Sequence, residues 1–415
     1  MRSSATGNGW PEIGEMGRKR LHQIVSRLAF LGLCLSLAFL TGCAWPMYRQ
    51  GQTRSGRSGI DTSANSGTLE WSYNVGFGQN QFPLGPAVGL AGSSGGIFLG
   101  DLYGTIYSLS TDGSLAWSVS LSGGIAAAPN AVGIDGSVYA PQSGGSLFAV
   151  SSSGAQTWVF SPSGGLSPAD LAVASDGTIY TGTQCGVFYA LNPDGSVKWS
   201  YSGFERDCNQ FYTPTISPAV GGDGTIYGGV NYGNSSGVLF ALSSNGSLLW
   251  QTAAYAGTPA LTSNGAIYVI SLDSEHLFAL NSGGVLQWQV NAPYQAEFTL
   301  PAIASDGTAY LGTAGAGLWS VSPAGVINWQ ATPGGNMYFF APATLGGDGT
   351  IYIAYTSLLA VNPDSSLKWS TPLCSGEGVY ASRDEPVIGL NGTIYMIPDG
   401  YSNGEQAPCP LQAFQ

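Results

Sequence analysis

Downstream of residue 42 the chain has a single histidine, His276, in the stretch 272-LDSEHLF-278. Asp273, Glu275 and His276 therefore offer two carboxylates and one imidazole within four positions, a donor set able to hold a cation weakly. The same composition describes a solvated polar loop, and the expectation is that no metal is bound. The carboxylate pairs Glu205/Asp207 and Asp384/Glu385 are of the right type for acid–base work. Acid–base work depends on their separation in space, which spacing along the chain does not fix. Neither GxxxxGK[ST] nor HExxH occurs, and 91-AGSSGG-96 reads as turn chemistry. No residue is assigned a catalytic role, and the expectation is a protein that is not an enzyme.

The cysteines carry clearer chemistry. Basic 18-RKRLHQIVSR-27 is followed by apolar 28-LAFLGLCLSLAFL-40 and then by 40-LTGC-43. That order resembles a bacterial lipoprotein signal, in which Cys43 is acylated and becomes the new N-terminus. The apolar run is too short for a comfortable membrane span. Several acyl chains, at about 0.8 kcal/mol per buried methylene, would make attachment to a bilayer lasting. Met16 is an alternative start, and Ala44 after the cysteine implies sorting to the outer membrane, on the periplasmic or the outer side. Downstream of Cys43, seven Lys and Arg face 22 Asp and Glu, a net charge of −15. A phosphate backbone would be repelled, so nucleic acid is excluded as a partner.

The rest of the sequence is built to position loops. Charged residues are only 9% of the chain, against 62 glycines in 415 residues and 12% aromatics. Short strands joined by Gly-rich turns fit that composition, and disorder does not. A stretch of the type LFAL recurs at 106–109, 147–150, 188–191, 239–242, 277–280, 318–321 and 358–361, each followed eight residues later by a Trp. A second landmark, Gly-x-apolar-Tyr/Phe, recurs eight times, from 95-GGIF-98 to 392-GTIY-395. Spacings between successive Trp from Trp71 to Trp369 run from 38 to 51, the period of propeller blades with four short antiparallel strands. Unit three sets the plan: an inner strand near 169–174, a turn at 175-SDG-177, strands TIYTGT and VFYAL, and a turn at 192-NPDGS-196 into VKWSY.

The two ends complete each other. The eighth unit reaches only 411-LQAF-414, while 67–75 carries Trp71 with no LFAL-like stretch before it. The expectation is an all-β, eight-bladed propeller of four-stranded antiparallel blades, closed by an N-terminal outer strand that completes the last blade. An unclosed ring would leave a bare strand edge. Residues 1–42 are read as signal peptide, 43–65 as a lipidated tether and 66–415 as propeller. Arg49, Arg54 and Arg57 of the tether would touch anionic head groups, or else pack beneath the propeller.

Here the chain resembles the PQQ-like (quinoprotein-type) β-propeller repeat proteins. The carriers are 188-FYALNPDGSVKW-199, whose turn is one residue shorter than the usual Trp-docking form, and the lead-in 45-WPMYRQGQTRSGRSG-59. The resemblance spans about 44–415, and in plan it extends to the propeller lipoprotein of the outer-membrane barrel-assembly machinery. It implies PQQ as a possible cofactor. The dehydrogenases of that superfamily set two adjacent cysteines against the quinone beside a calcium site, and this chain has no Cys-Cys pair, so PQQ is disfavoured and no cofactor is expected.

In such a blade, the second-to-third-strand loop and the connection to the next blade share one face. Cys185 and Cys409 belong to the first loop type, Cys208 and Cys374 to the second. Blades three and eight lie far apart, so the expected disulfides are Cys185–Cys208 and Cys374–Cys409, each contributing up to about 3.5 kcal/mol by loop entropy. Free buried thiols are the alternative. The opposite face has uniformly short turns. The long connections carry Phe82, Phe211, Tyr212, Phe298, Tyr338 and Phe340, with Gln79, Asn80, Gln81, Arg206 and Arg383 as polar contacts. They either line a central mouth that binds a protein or polymer, or simply fill space between loops. Three functions remain open: a non-catalytic membrane-anchored scaffold, a quinoprotein oxidoreductase, and a carbohydrate-binding or carbohydrate-cleaving surface protein.

Overall fold

The computed structural model describes residues 52–74, 83–89, 96–101, 103–123, 131–142, 145–166, 171–205, 215–233, 236–293, 296–333, 335, 339, 341–373, 385–398, 401–402, 405–406 and 409–415. All lie in the second of the two units into which the chain divides, Cys43–Gln415. They form eight four-stranded antiparallel sheets arranged as an eight-bladed β-propeller, plus one two-stranded hairpin at 401–406.

Blade three keeps the expected plan, with strands Ala172–Val173, Ile179–Gly182, Phe188–Leu191 and Val197–Tyr201. Its inner strand is only two residues long, as are those of blades two, six, seven and eight. The three inner strands are buried on both faces, because every blade is sandwiched between two others. The outer strand alternates exposed and half-buried residues, its Trp being half-buried. The turn Pro193–Gly195 is the three-residue hairpin: Gly195 N–H donates to Asn192 O, Gly195 has φ +83°, and a bulge follows between Ala190 and Leu191.

One contact recurs around the ring. Each outer-strand Trp donates its indole N–H to a turn carbonyl of the next blade. The donors and acceptors are Trp71 to Thr111, Trp117 to Ser152, Trp158 to Pro193, Trp199 to Ser244, Trp250 to Ser282, Trp288 to Pro323 and Trp329 to Pro363, at 2.8–3.0 Å. The shorter turn therefore docks Trp all the same. The ring lies so close over the turn glycine that a Cβ at Gly195 would stand 2.6 Å from the Trp158 ring. In blade seven that position is Ser365, which holds φ +75° without being glycine.

The eighth contact closes the circle. Strand Leu69–Tyr73 pairs antiparallel with Leu411–Phe414, Trp71 standing opposite Ala413. No turn joins these strands, yet 65-NSG-67 reproduces one. Trp369 N–H donates to Asn65 O (2.9 Å), and the Trp369 ring covers Gly67, at φ +74°. Thr68 and Gln415 exchange both backbone hydrogen bonds at 2.9 Å, as Asn192 N–H reaches Ser196 O in blade three. The Asn65 side chain donates to Gly392 O and Phe414 O and accepts from Gly67 N–H, tying both ends of the chain to blade eight.

Residues 52–62 meet the inner strands instead of hanging free. The channel-side edges of those strands have no ladder partner, and the lead-in supplies one blade after blade. Ser175 N–H donates to the Gln52 side chain, Val220 N–H to Gln52 O (2.6 Å) and Leu261 N–H to Thr53 O (2.8 Å). Ile303 N–H donates to Ser55 O (2.7 Å) and Leu345 N–H to Gly56 O (2.9 Å). Arg54 is fully buried and its Nε donates to Pro218 O. Arg54 is thus withdrawn from any lipid head group, contrary to the first of the two expectations, and 52–65 is a working part of the ring. Thr62 then donates to the Asp348 carboxylate (2.6 Å), which Lys368 approaches at 3.6 Å.

Two predictions follow from these contacts. Replacing Ser365 by Gly relieves a left-handed backbone and should stabilise the protein by about 0.5–1 kcal/mol, whereas Gly195→Ala should cost more than about 2 kcal/mol. Urea unfolding monitored by Trp fluorescence reads both. Burial raises the Asp348 pKa, but hydrogen bonds from Thr350 and Thr62 outweigh it and the net shift is downward. A depressed folded-state pKa gives stability that is present above the unfolded value, near pH 4, and lost as pH falls through the folded one. Asp348→Asn should lower stability at pH 7 and flatten the acid limb of a melting-temperature-versus-pH curve; an unchanged acid limb would contradict this role.

Candidate binding face

The two ends of the propeller are unequal. At the short-turn end the lead-in crosses the inner strands from blade three to blade seven and carries Arg54 into the middle. The opposite end holds the long connections and is the face on which sequence places the candidate site.

Of the residues expected there, Phe298 is described, and it is 4% exposed. It packs edge-on against Trp319 with centroids 5.4 Å apart, and its N–H donates to Ser274 O (2.7 Å). Phe298 walls an open cleft of about 390 Å³ between blades five and six, with Gly257, Thr258, Ser271, Ser274 and Pro342. Gln79, Asn80, Gln81, Phe82, Arg206, Phe211, Tyr212, Tyr338, Phe340 and Arg383 lie outside the described residues, as do Cys43, Cys208 and Cys374. Cys185 and Cys409 are buried and each is disulfide-bonded.

Two other described aromatics of the long connections, Phe204 and Phe339, are filling. Phe204 is 2% exposed and stacks at 4.4 Å on Phe240 and 4.9 Å on Tyr201, and Phe339 is fully buried. A ring buried in the wall between two blades has no area left for a ligand. Of the two carboxylate pairs, Glu205 is exposed and Glu385 is buried, while Asp207 and Asp384 lie outside the described residues. Sequence reasoning missed Asp101. That carboxylate is 4% exposed and accepts from Tyr103 N–H, Thr105 N–H and the Tyr107 hydroxyl, holding the loop after the second strand of blade one. An Asp ahead of a Tyr-Gly turn is the signal that could have found it.

The recurrent tyrosines offer no acid–base chemistry at neutral pH. Burial pushes Tyr139, Tyr180, Tyr268 and Tyr395 up to about 12, and Tyr268 donates its hydroxyl to Gly307 O at 2.8 Å. Asp273, Glu275 and His276, by contrast, are brought together: one donor atom from each falls within 4.8 Å of the others. Among the described residues the cysteines stand singly, Cys185 in blade three and Cys409 in blade eight.

The profile of the family described as outer membrane protein assembly factor BamB matches residues 57–227 and 213–397. No curated protein matches the chain in sequence. Among solved structures, BamB from Moraxella catarrhalis is similar, with TM-score 0.51 and 20% identity over 67% of this chain and 82% of that one. The quinohemoprotein alcohol dehydrogenase from Comamonas testosteroni is also similar, with TM-score 0.65 and 13% identity over 89% and 80%. The quinohemoprotein alcohol dehydrogenase ADHIIG from Pseudomonas putida HK5 has TM-score 0.65 and 11% identity over 91% and 80%. At these identities the structural likenesses speak for the fold. The profile match covers most of the sequence, and the chain belongs to the family described as outer membrane protein assembly factor BamB.

Proposed function

We propose that the protein is a non-catalytic, lipid-anchored scaffold of the outer membrane that holds a protein partner on its long-connection face. The observation that carries the reading is the lead-in. It occupies the short-turn end of the ring with backbone hydrogen bonds, which leaves the long-connection end as the one free to receive a partner. Nine residues separate Cys43 from Gln52, a reach of at most about 30 Å. An acylated Cys43 would therefore hold the short-turn end toward the bilayer and turn the long connections away from it. Family membership supports a role in outer-membrane protein assembly, and the net charge of −15 favours a basic partner surface.

The same face would be fastened by Cys185–Cys208 and Cys374–Cys409. Peptide mapping under non-reducing conditions should recover these two pairs; any other pairing would displace the proposed loop arrangement.

Affinity capture of the full chain from membranes in mild detergent, with and without amine cross-linking, tests the reading. The expected result is a stoichiometric protein partner, weakened at least tenfold by the double change Arg206→Glu and Arg383→Glu. Cys43→Ser should move the protein out of the membrane fraction. Recovery of the chain alone in both arms would overturn the scaffold reading. A dye-reduction signal after adding PQQ and Ca²⁺ would replace it with the oxidoreductase, and binding on a glycan array would replace it with the carbohydrate reading.

A further inference from the structure

The hairpin between the second and third strands of blade five joins Ile267–Ser271 to His276–Leu280. Ser271 donates to the Asp273 carboxylate and Glu275 N–H reaches the same oxygen at 3.0 Å, with Ser274 at φ +61° making the tight bend. His276 opens the third strand opposite Asn291 of the outer strand. Its Nδ1 lies 3.0 Å from Asn291 Oδ1, an oxygen that also accepts from Gln289 Nε2 at 2.6 Å.

Gln289 Nε2 stands 3.4 Å from the same Nδ1, so two amides hold the ring in place. In the tautomer that donates from Nδ1 to Asn291 Oδ1, Nε2 presents a lone pair. Nε2 points toward Asp273 Oδ2, 4.0 Å away, and the donor atoms of Asp273, Glu275 and His276 lie within 4.8 Å of one another. In that tautomer three acceptors converge, which is the arrangement a cation completes. The outer-strand amides of Gln289 and Asn291 do for His276 what an outer hydrogen-bonding group does for a metal-bound histidine: they hold the ring and its aim. The loop also walls the 390 Å³ cleft through Ser271, Leu272 and Ser274, so a bound ion would have room for further ligands.

We infer that Asp273, Glu275 and His276 form a divalent transition-metal site on the rim of that cleft. One imidazole nitrogen and two carboxylate oxygens suit Zn²⁺ better than the all-oxygen shells that Ca²⁺ and Mg²⁺ prefer. Its ligands are half-exposed side chains that close by rotation, so binding is reversible and leaves coordination positions open to water or to a carboxylate of a cleft ligand. The site is independent of the scaffold reading.

The chain has two histidines, His22 and His276, and comparison with a His276→Gln variant assigns the ring proton resonances that report this site. Titrating the full chain with Zn²⁺ should move them to saturation at one equivalent. Glu275→Gln and Asp273→Asn should each weaken binding at least tenfold, and Mg²⁺ should give no shift. Glu275→Gln leaves the hydrogen bonds of the bend intact, so a folding defect in Asp273→Asn would not spoil the test. Resonances unmoved at millimolar Zn²⁺, or moved equally in both variants, would overturn the assignment.

Discussion

The indole-to-carbonyl contact between successive blades is the constraint on which the rest of the molecule depends. A hydrogen bond of this kind contributes only about 1 kcal/mol net. Its importance is geometric. Each Trp lies over the next blade's turn to reach the carbonyl, so the turn residue beneath it cannot carry an unstrained side chain. The contact is made by all eight outer-strand Trp, and for Trp369 of blade seven 65-NSG-67 stands in for the turn. Closure is a consequence of the repeat, and the termini supply the one blade that cannot be built from continuous chain.

The N-terminal segment solves three problems in succession. Channel-side edges of the inner strands would otherwise expose unpaired N–H groups, and Gln52, Thr53, Ser55 and Gly56 accept from them. The Thr62–Asp348 bond then turns the chain outward between blades seven and eight, and Asn65 imitates the missing hairpin. Burying Arg54 in the middle is costly for a charged group unless carbonyls surround it, and Pro218 O is one of them. The segment that reads as a tether is therefore also the closure device of the fold.

The blade count, the strand that completes blade eight and the faces of the loops are legible in the sequence because they recur. LFAL-like stretches and the Trp eight residues on repeat what each blade must do to pack. The lead-in is recognisable as a segment, but the choice between a free tether and one packed beneath the propeller is not legible, because its partners are backbone carbonyls and N–H groups, which leave no side-chain period. Two-residue inner strands such as Ala172–Val173 are equally faint. Loop aromatics were ambiguous for a related reason. Phe204 and Phe298 look alike in sequence, and only packing tells that the first fills the wall between blades while the second borders a cleft. The His276 cluster was visible as residue types, but its convergence depends on Asn291, fifteen positions away on another strand.

Charge scarcity narrows where recognition can occur. Only seven cationic side chains follow Cys43. Lys198 and Lys368 sit beside Asp176 and Asp348 at the short-turn end, and Arg54 is inside the channel. In sequence Arg206 and Arg383 fall between the strands of blades three and four and of blades seven and eight. Each has acidic neighbours in sequence, on both sides of Arg206 in 205-ERD-207 and after Arg383 in 383-RDE-385. An acidic surface steers a basic partner toward the ring, but a guanidinium set in such a field makes a directional contact that repulsion elsewhere cannot imitate.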